Sequence, residues 1–176
     1  EPAYIKILTQ LFGDNLIIAN ATGCSSIYGG SAPSTPYTLP WSSSLFEDNA
    51  EYGFGYLIAD KIYKERIVSI MREYGGFEEY INNYNNYEIT KKVYDSIDFN
   101  KYPKLLPYKD YIKARNIWTI GGDGWAYDIG FSGIDHVLAS GENAKILVLD
   151  TQVYSNTGGQ ASKATPKGSI ALFASN

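Results

Sequence analysis

Hydrophobic and polar residues in the second half of the chain follow the pattern of a β-α-β unit. Residues 116–120 are an apolar run rich in β-branched and aromatic side chains, residues 128–140 have apolar side chains at helical spacing, and residues 144–149 are apolar again. A crossover of this kind makes its two strands parallel. The residues that follow the two strands are therefore expected at the same edge of a sheet.

The chain begins with a helical pattern followed by a strand. Residues 4–12 place apolar side chains at helical spacing after Pro2, and Gly13-Asp14 ends the pattern. Residues 16–19 follow as a short buried strand. Together these elements predict an α/β fold, a three-layer α/β/α sandwich with a mainly parallel sheet. Three strands of that sheet are expected to contain Ile17, Trp118 and Val148.

Between these units the pattern predicts a loop, a long helix and a less regular segment. Residues 29–44 are rich in Gly, Ser, Pro and Thr and predict a long loop that closes over a ligand or packs on a neighbour. Residues 49–74 predict a long helix, and residues 75–113 predict two helical or irregular segments broken by Pro103 and Pro107. The long helix is expected to bury a stripe formed by Ala50, Phe54, Leu57, Ile58, Ile62, Ile67 and Ile70.

Composition and charge exclude several classes of function. The 176 residues are 44% hydrophobic, which suits a single domain, predicted to span residues 1–176, with a substantial core. A net charge of −4 does not indicate binding to nucleic acid or to an anionic membrane. No apolar run approaches the roughly 20 residues of a membrane span. The single cysteine excludes an internal disulfide framework. We therefore expect a cytoplasmic or organellar protein.

Two polar segments follow the two strands of the β-α-β unit. Gly122-Asp123-Gly124 follows the first strand, and Thr151 follows the second. If the strands are neighbours about 4.8 Å apart, Asp123 and Thr151 can supply two oxygen ligands at the roughly 2.0–2.1 Å that magnesium requires. The glycines let backbone N–H groups approach an anion, and the next helix presents its positive N-terminus to the same anion. The pattern indicates a magnesium-diphosphate site, and a tight turn is the alternative for the glycine motif alone.

Two long blocks of sequence resemble one enzyme family. Residues 121–160 contain GGDGWAYDIG, DHVLASG and VYSNTGGQ, and residues 21–55 contain ATGCSSIYGG and SLFEDNAEYGFG. These blocks closely resemble the pyruvate:ferredoxin (flavodoxin) oxidoreductases, including the fused pyruvate:NADP+ oxidoreductases. The resemblance implies the thiamine diphosphate-binding domain of an enzyme that oxidatively decarboxylates a 2-oxoacid, pyruvate, with coenzyme A to acetyl-CoA and CO2. It also implies that the chain is a piece of a much longer multidomain protein.

The same resemblance assigns roles to residues around both strand ends. Asp123, Thr151 and the carbonyl oxygen of Val153 are expected to bind Mg2+. Threonine at position 151 agrees with the oxidoreductase branch, because the wider thiamine diphosphate superfamily usually has asparagine there. Asn156 is expected to approach both cofactor and substrate and is the catalytic candidate. The other implied cofactor-binding residues are Gly122, Gly124, Trp125, Gln152, Tyr154 and Ser155.

Two further residues have roles that rest on the resemblance. Cys24 falls on a ligand position of a 4Fe-4S cluster, and because such a cluster needs four thiolates, the other three are expected outside this chain. The alternative is that Cys24 is a small buried hydrophobic residue. Glu1 corresponds to a residue that contacts the thiamine cofactor, and the alternative is an untethered terminal carboxylate.

The resemblance also implies partners for the complete enzyme. Electrons are expected to pass through the iron-sulfur cluster to ferredoxin, flavodoxin or a fused NADPH-linked flavin domain. A second half of the cofactor site, with the glutamate that activates the aminopyrimidine, lies on another domain, and the full-length enzyme is expected to be a homodimer. Two alternatives stay open: a non-oxidative thiamine diphosphate-dependent decarboxylase or transferase, and a non-catalytic magnesium-phosphate binding module.

The remaining polar residues can be explained by structural roles. His136, the only histidine, is either a general base or a helix histidine with its hydrogen bonds satisfied. Asp128 and Asp135 are expected to be caps or surface charges. Glu47-Asp48 is an acid pair that a helix start also favours. The apolar pattern that resumes in residues 167–173 begins to look helical.

Overall fold

A computed structural model describes residues 2–23, 25–26, 41–171 and 174–175. No helix among these residues is both long and apolar enough to cross a membrane. In chain order the elements are α1 (Pro2–Phe12), a 3-10 turn (Gly13–Asn15), β1 (Leu16–Ala21), β2 (Trp41–Ser44), α2 (Asn49–Tyr74), α3 (Glu78–Asn83), α4 (Tyr87–Ser96), a 3-10 helix (Pro103–Tyr111), β3 (Asn116–Gly122), a π-helix (Gly124–Ile129), α5 (Phe131–Ala139), β4 (Lys145–Leu149), β5 (Val153–Tyr154), β6 (Gln160–Ala161), β7 (Ile170–Ala171) and β8 (Ala174–Ser175).

The main sheet confirms the predicted α/β class. Four parallel strands lie in the order β2-β1-β3-β4, and Ile17, Trp118 and Val148 lie in β1, β3 and β4. Strand β2 was not predicted, because the long loop was expected to extend through Ser44. Instead Trp41–Ser44 forms an edge strand parallel to β1, and Ala21 pairs with Ser44. The predicted loop residues 29–40 lie outside the described residues.

Residue contacts divide the chain into two compact units, residues 1–55 with 117–176 and residues 56–116. The assignment of the whole chain to one domain stays a prediction. In the first unit, one apolar cluster joins α1 to the sheet through Ile5, Leu8, Leu16, Ile18, Ile120 and Leu149. A second cluster joins the sheet to the start of α2, the π-helix and α5 through Ala21, Ala50, Trp125, Ala126, Ile134 and Val137. Helices therefore cover both faces of the sheet, as a three-layer fold requires.

The second unit has its own core around the C-terminal part of α2. Its buried residues are Ile67, Val68, Ile70, Met71, Tyr80, Leu105 and Ile112. The bounds of α2 agree with the prediction, but its stripe is not uniformly buried, because Ile62 is 58% exposed. Three helical segments occupy residues 75–113 instead of two. Pro103 begins the third, a 3-10 helix, and Pro107 lies inside it, so neither proline acts as a break.

The crossover between β3 and β4 differs from the predicted helix. Instead of one helix over 128–140, a π-helix begins at Gly124 and gives way to α5 at Phe131. The N–H of Gly130 donates to the carbonyl oxygen of Trp125 at 2.8 Å, an i to i−5 bond that closes the wider turn. The helical expectation for 167–173 is also wrong for its described C-terminal part, because Ile170–Ala171 pairs antiparallel with Ala174–Ser175.

Candidate functional site

The ends of β3 and β4 bring Asp123 and Thr151 together. The two strands are parallel neighbours, with Gly122 opposite Leu149. The hydroxyl oxygen and the backbone nitrogen of Thr151 each lie 3.3 Å from Oδ1 of Asp123. This confirms that the two side chains are adjacent, as the β-α-β pattern predicted.

A third oxygen joins this pair. The carbonyl oxygen of Val153 lies 3.1 Å from the hydroxyl oxygen of Thr151. Adjacent ligands of an octahedral magnesium ion, each about 2.0–2.1 Å from the metal, lie about 2.8–3.0 Å from one another. The spacings of 3.1 and 3.3 Å between the oxygens of Asp123, Thr151 and Val153 are close to that value. The donor set of one carboxylate, one hydroxyl and one carbonyl consists of the hard oxygens that magnesium prefers.

The charge of Asp123 also fits a cation. Its side chain is 1% exposed, and none of the ion pairs found in the described ranges involves it. A buried carboxylate is normally paired with a cation or bound to a metal, because an isolated buried charge is costly. Within the described part of the chain, no group of three or more His, Cys, Asp or Glu residues could hold a metal.

A cavity of about 200 Å³ opens beside Asp123. That volume is below the roughly 300–1,000 Å³ of a complete small-molecule site, so it suits part of a ligand. None of its described lining residues is basic. These lining residues are Ala21, Thr22, Gly23, Ser25, Phe46, Gly122, Asp123, Gly124, Leu149, Thr151, Val153, Tyr154, Ser155, Asn156 and Thr157.

A second carboxylate, Asp128, is hydrogen-bonded to Tyr154, which lines the cavity. The Tyr154 hydroxyl donates to Oδ2 of Asp128 at 2.9 Å, and the backbone nitrogen of Lys163 donates to the same oxygen at 3.3 Å. Burial, followed by the hydrogen bond to Asp128, raises the pKa of Tyr154 to about 12. From the sequence alone, Asp128 is expected to be a cap or surface charge. The link to Tyr154 spans 26 residues and has no short-range sequence signal.

The glycines of the motif have different surroundings. A Cβ atom on Gly124 would lie 2.3 Å from the ring of Tyr154, so this glycine permits the close approach of that ring. A Cβ on Gly122 would meet only the carbonyl oxygen of Leu149, at 3.8 Å. Trp125 is fully buried and is not among the residues that line the cavity. Its ring instead packs where side chains on Gly121 or Gly130 would collide with it.

The other predicted site residues, Gln152, Ser155 and Asn156, lie in the segment after β4. Gln152 is exposed and has a left-handed backbone with φ of 64°, and its N–H donates to Oδ1 of Asp150 at 2.9 Å. Ser155 and Asn156 are exposed and line the cavity. The predicted residues Asp123, Thr151, Val153, Tyr154, Ser155, Asn156, Gly122 and Gly124 are thus brought to one cavity, whereas Gln152 and Trp125 are not among its described lining.

Of five further candidates from the sequence, two lie outside the described residues and three can be placed. Glu1 and Cys24 lie outside the described residues, although the neighbours Gly23 and Ser25 line the cavity at the end of β1. His136 and Asp135 are exposed on α5 and do not line the cavity. Asp48 accepts a hydrogen bond from the Ser44 hydroxyl at 2.5 Å, immediately before α2.

Comparison with known proteins finds clear relatives, although no protein-family model matches the chain. The chain is 49% identical to the pyruvate-flavodoxin oxidoreductase of Trichormus variabilis, an alignment that covers 99% of this chain and 17% of the relative. It is 44% identical to the pyruvate:ferredoxin oxidoreductase of Moorella thermoacetica, covering 99% and 18%. It is 45% identical to the mitochondrial pyruvate dehydrogenase [NADP(+)] of Euglena gracilis, covering 99% and 11%. The chain therefore spans about one sixth of the length of the first two relatives.

Proposed function

Because the chain belongs to the family of the pyruvate-flavodoxin and pyruvate:ferredoxin oxidoreductases, we propose that it is the thiamine diphosphate- and magnesium-binding part of such an enzyme. The complete enzyme would convert pyruvate and coenzyme A to acetyl-CoA and CO2. The two electrons released would reduce an iron-sulfur cluster and then a ferredoxin, a flavodoxin or a fused NADPH-linked flavin domain. Thiamine diphosphate, when bound, would supply the chemistry of decarboxylation.

The observation that carries this proposal is a group of three neighbouring oxygens, one of them from the buried carboxylate of Asp123, which has no ion-pair partner among the described residues. Asp123 Oδ1, the Thr151 hydroxyl and the Val153 carbonyl would hold Mg2+, with spacings of 3.1–3.3 Å that are close to those of adjacent positions in an octahedron. Magnesium usually completes its coordination with substrate phosphates and water. A diphosphate beside Asp123 would fill those positions.

The residues that line the cavity support a role for a cation in binding the diphosphate. Its described lining has no basic side chain, so no cationic side chain in that lining offsets the charge of a diphosphate. A divalent cation bound to Asp123 would do so. The space where Gly122 would carry a side chain is open, because an added Cβ there would meet only one atom, at 3.8 Å. Ser155 and Asn156 line the same cavity, and we propose that the Asn156 amide orients the substrate.

The size of the cavity is consistent with a site shared with another part of the enzyme. About 200 Å³ can hold only part of a cofactor as large as thiamine diphosphate. We propose that another domain, with the homodimer partner, completes it. Cys24, which comes three residues after β1 in the sequence, would contribute one of the four thiolates of a 4Fe-4S cluster, and the other three would come from elsewhere in the enzyme.

Calorimetric titration of the full-length protein with thiamine diphosphate, with and without Mg2+, tests this function. The Asp123→Asn variant keeps the side-chain shape but loses the charge, and we expect its magnesium-dependent affinity to fall more than about 100-fold, as for a buried charge that loses its partner. Asp135→Asn is the matched control, because Asp135 is exposed on α5 and does not line the cavity. Unchanged affinity in Asp123→Asn, or binding independent of Mg2+, would overturn the proposal.

A further inference from the structure

The residue that follows β6, Ser162, contacts Asp123, the proposed metal ligand. Strands β5 and β6 form an antiparallel pair in which Val153 lies opposite Ala161. The next residue, Ser162, donates a hydrogen bond from its hydroxyl to Oδ2 of Asp123. This bond joins residues 39 positions apart and reaches the carboxylate oxygen that does not face Thr151.

The direction of the Ser162 hydroxyl is defined by its neighbours. The backbone N–H of Ala164 donates to the Ser162 oxygen at 3.2 Å, so the hydroxyl proton is left to point at Asp123. The N–H of Ser162 donates to the Thr165 hydroxyl at 2.9 Å, and that hydroxyl donates to the carbonyl oxygen of Gln152. Ser162 is thus held at both its side chain and its backbone.

The two oxygens of Asp123 therefore have separate partners. Oδ1 faces the N–H and the hydroxyl of Thr151, where the other proposed ligand oxygens lie. Oδ2 is occupied by Ser162. We propose that Ser162 is a positioning and specificity-determining residue that keeps Asp123 a one-oxygen ligand and thereby favours Mg2+ over Ca2+. This inference rests on the proposed function of the site.

The reasoning follows from the coordination preferences of the two ions. Mg2+ requires near-ideal octahedral geometry at about 2.0–2.1 Å, whereas Ca2+ takes six to eight oxygens at about 2.3–2.6 Å and accepts a carboxylate through both oxygens. Without the Ser162 hydroxyl, Oδ2 loses a donor, and a carboxylate that is 1% exposed gains little compensation from water. The carboxylate is then free to turn both oxygens toward the ion, which suits Ca2+ better than Mg2+.

Cation selectivity of the full-length protein tests the proposal. Thiamine diphosphate binding is titrated with either Mg2+ or Ca2+ as the sole divalent cation, in wild type and Ser162→Ala. We expect the affinity with Mg2+ to fall about tenfold or more, as for the loss of a hydrogen bond to a charged group. The affinity with Ca2+ is expected to change less than about threefold, so that the ratio of the two affinities shifts at least about threefold toward Ca2+.

Ser140→Ala is the matched control. The Ser140 hydroxyl also donates to one oxygen, the carbonyl of Val137 at 2.6 Å, and accepts from one N–H, that of Glu142 at 3.2 Å. It touches no carboxylate in these bonds, so this variant is expected to keep the wild-type ratio. The pair Ser162→Thr and Ser162→Val repeats the test with nearly equal side-chain volume if Ser162→Ala does not fold. The threonine variant should keep the ratio, and the valine variant should shift it.

The outcomes separate this inference from the function on which it rests. If wild type binds thiamine diphosphate without any need for a divalent cation, the proposed function fails. If wild type needs the cation but Ser162→Ala weakens binding equally with Mg2+ and Ca2+, Ser162 has only a structural role and this inference is overturned. A shift toward Ca2+ in the alanine and valine variants, absent in the threonine and Ser140→Ala variants, supports it.

Discussion

Gly124→Ala should destabilise the chain through the ring of Tyr154. An ideal Cβ on Gly124 would lie 2.3, 2.6 and 2.7 Å from three atoms of that ring. Because carbon atoms pack best about 3.5–4.0 Å apart, the ring must move by roughly 1 Å to accept the methyl group. A movement of that size lengthens the 2.9 Å hydrogen bond from the Tyr154 hydroxyl to Asp128 beyond the normal range.

The expected cost combines three terms. Forcing a methyl group into a packed contact costs about 1–3 kcal/mol, and losing a hydrogen bond to a charged group costs about 1.5–3 kcal/mol. Alanine in place of glycine in a helical turn returns up to about 1 kcal/mol. Because Tyr154 is only partly buried, water replaces some of the lost bond. We therefore expect a net loss of about 2–4 kcal/mol in the free energy of unfolding.

A double-mutant cycle measured by urea unfolding tests this reasoning. In a Tyr154→Ala background the collision is absent, so Gly124→Ala should be neutral or slightly stabilising, and the coupling energy should reach about 2 kcal/mol or more. Gly55→Ala is the control, because Gly55 lies in α2 and a Cβ there would meet nothing within 4 Å. An equal cost of Gly124→Ala in both backgrounds would refute the steric explanation.

Four further predictions concern other parts of the chain. Gly53→Ala should lower the free energy of unfolding by about 1–3 kcal/mol, because its Cβ would lie 1.9 Å from the Thr119 hydroxyl oxygen. If this collision is the cause, the same substitution should cost less free energy in a Thr119→Ala background. Burial lowers the pKa of Lys64 to about 8, so the unfolded state binds more protons above that pH. Urea titration should therefore show wild-type stability rising by about 1–2 kcal/mol between pH 8 and 9.5 relative to Lys64→Met. Thr151→Val should weaken magnesium-dependent cofactor binding less than loss of the carboxylate does, because water can replace a neutral ligand, as calorimetry would show. Cys24→Ser should spare cofactor binding but lower the iron content and the turnover of the full-length protein.

The part of the site that the sequence predicted depends on long periodic segments. The apolar runs of β3 and β4 and the helical spacing between them define a parallel crossover, and that crossover alone brings Asp123 beside Thr151. The same kind of signal predicted the bounds of α2. Hydrophobic periodicity is informative here because each element is long enough to show its period and buries a face against the sheet.

Strand β2 shows where that signal stops. Its residues, Trp41–Ser44, include three serines and follow a segment rich in Gly, Pro and Thr, a composition that predicts a loop. The strand forms because β1 presents an edge with which it pairs in parallel. β-Propensity depends largely on the surface on which a strand packs, so a four-residue edge strand is determined by its neighbour more than by its own residues.

The contact of Ser162 with Asp123 could not be predicted, for a different reason. Strands β5 and β6 have two residues each, too short for an alternating pattern to be read. Their register follows from the turn that joins them, residues 155–159, in which Gly158 and Gly159 have positive φ angles of 112° and 94°. A slip of one residue would reverse which face each side chain occupies. Ser162 would then leave Oδ2 of Asp123, so the proposed selection of the cation depends on one backbone conformation that no hydrophobic pattern encodes.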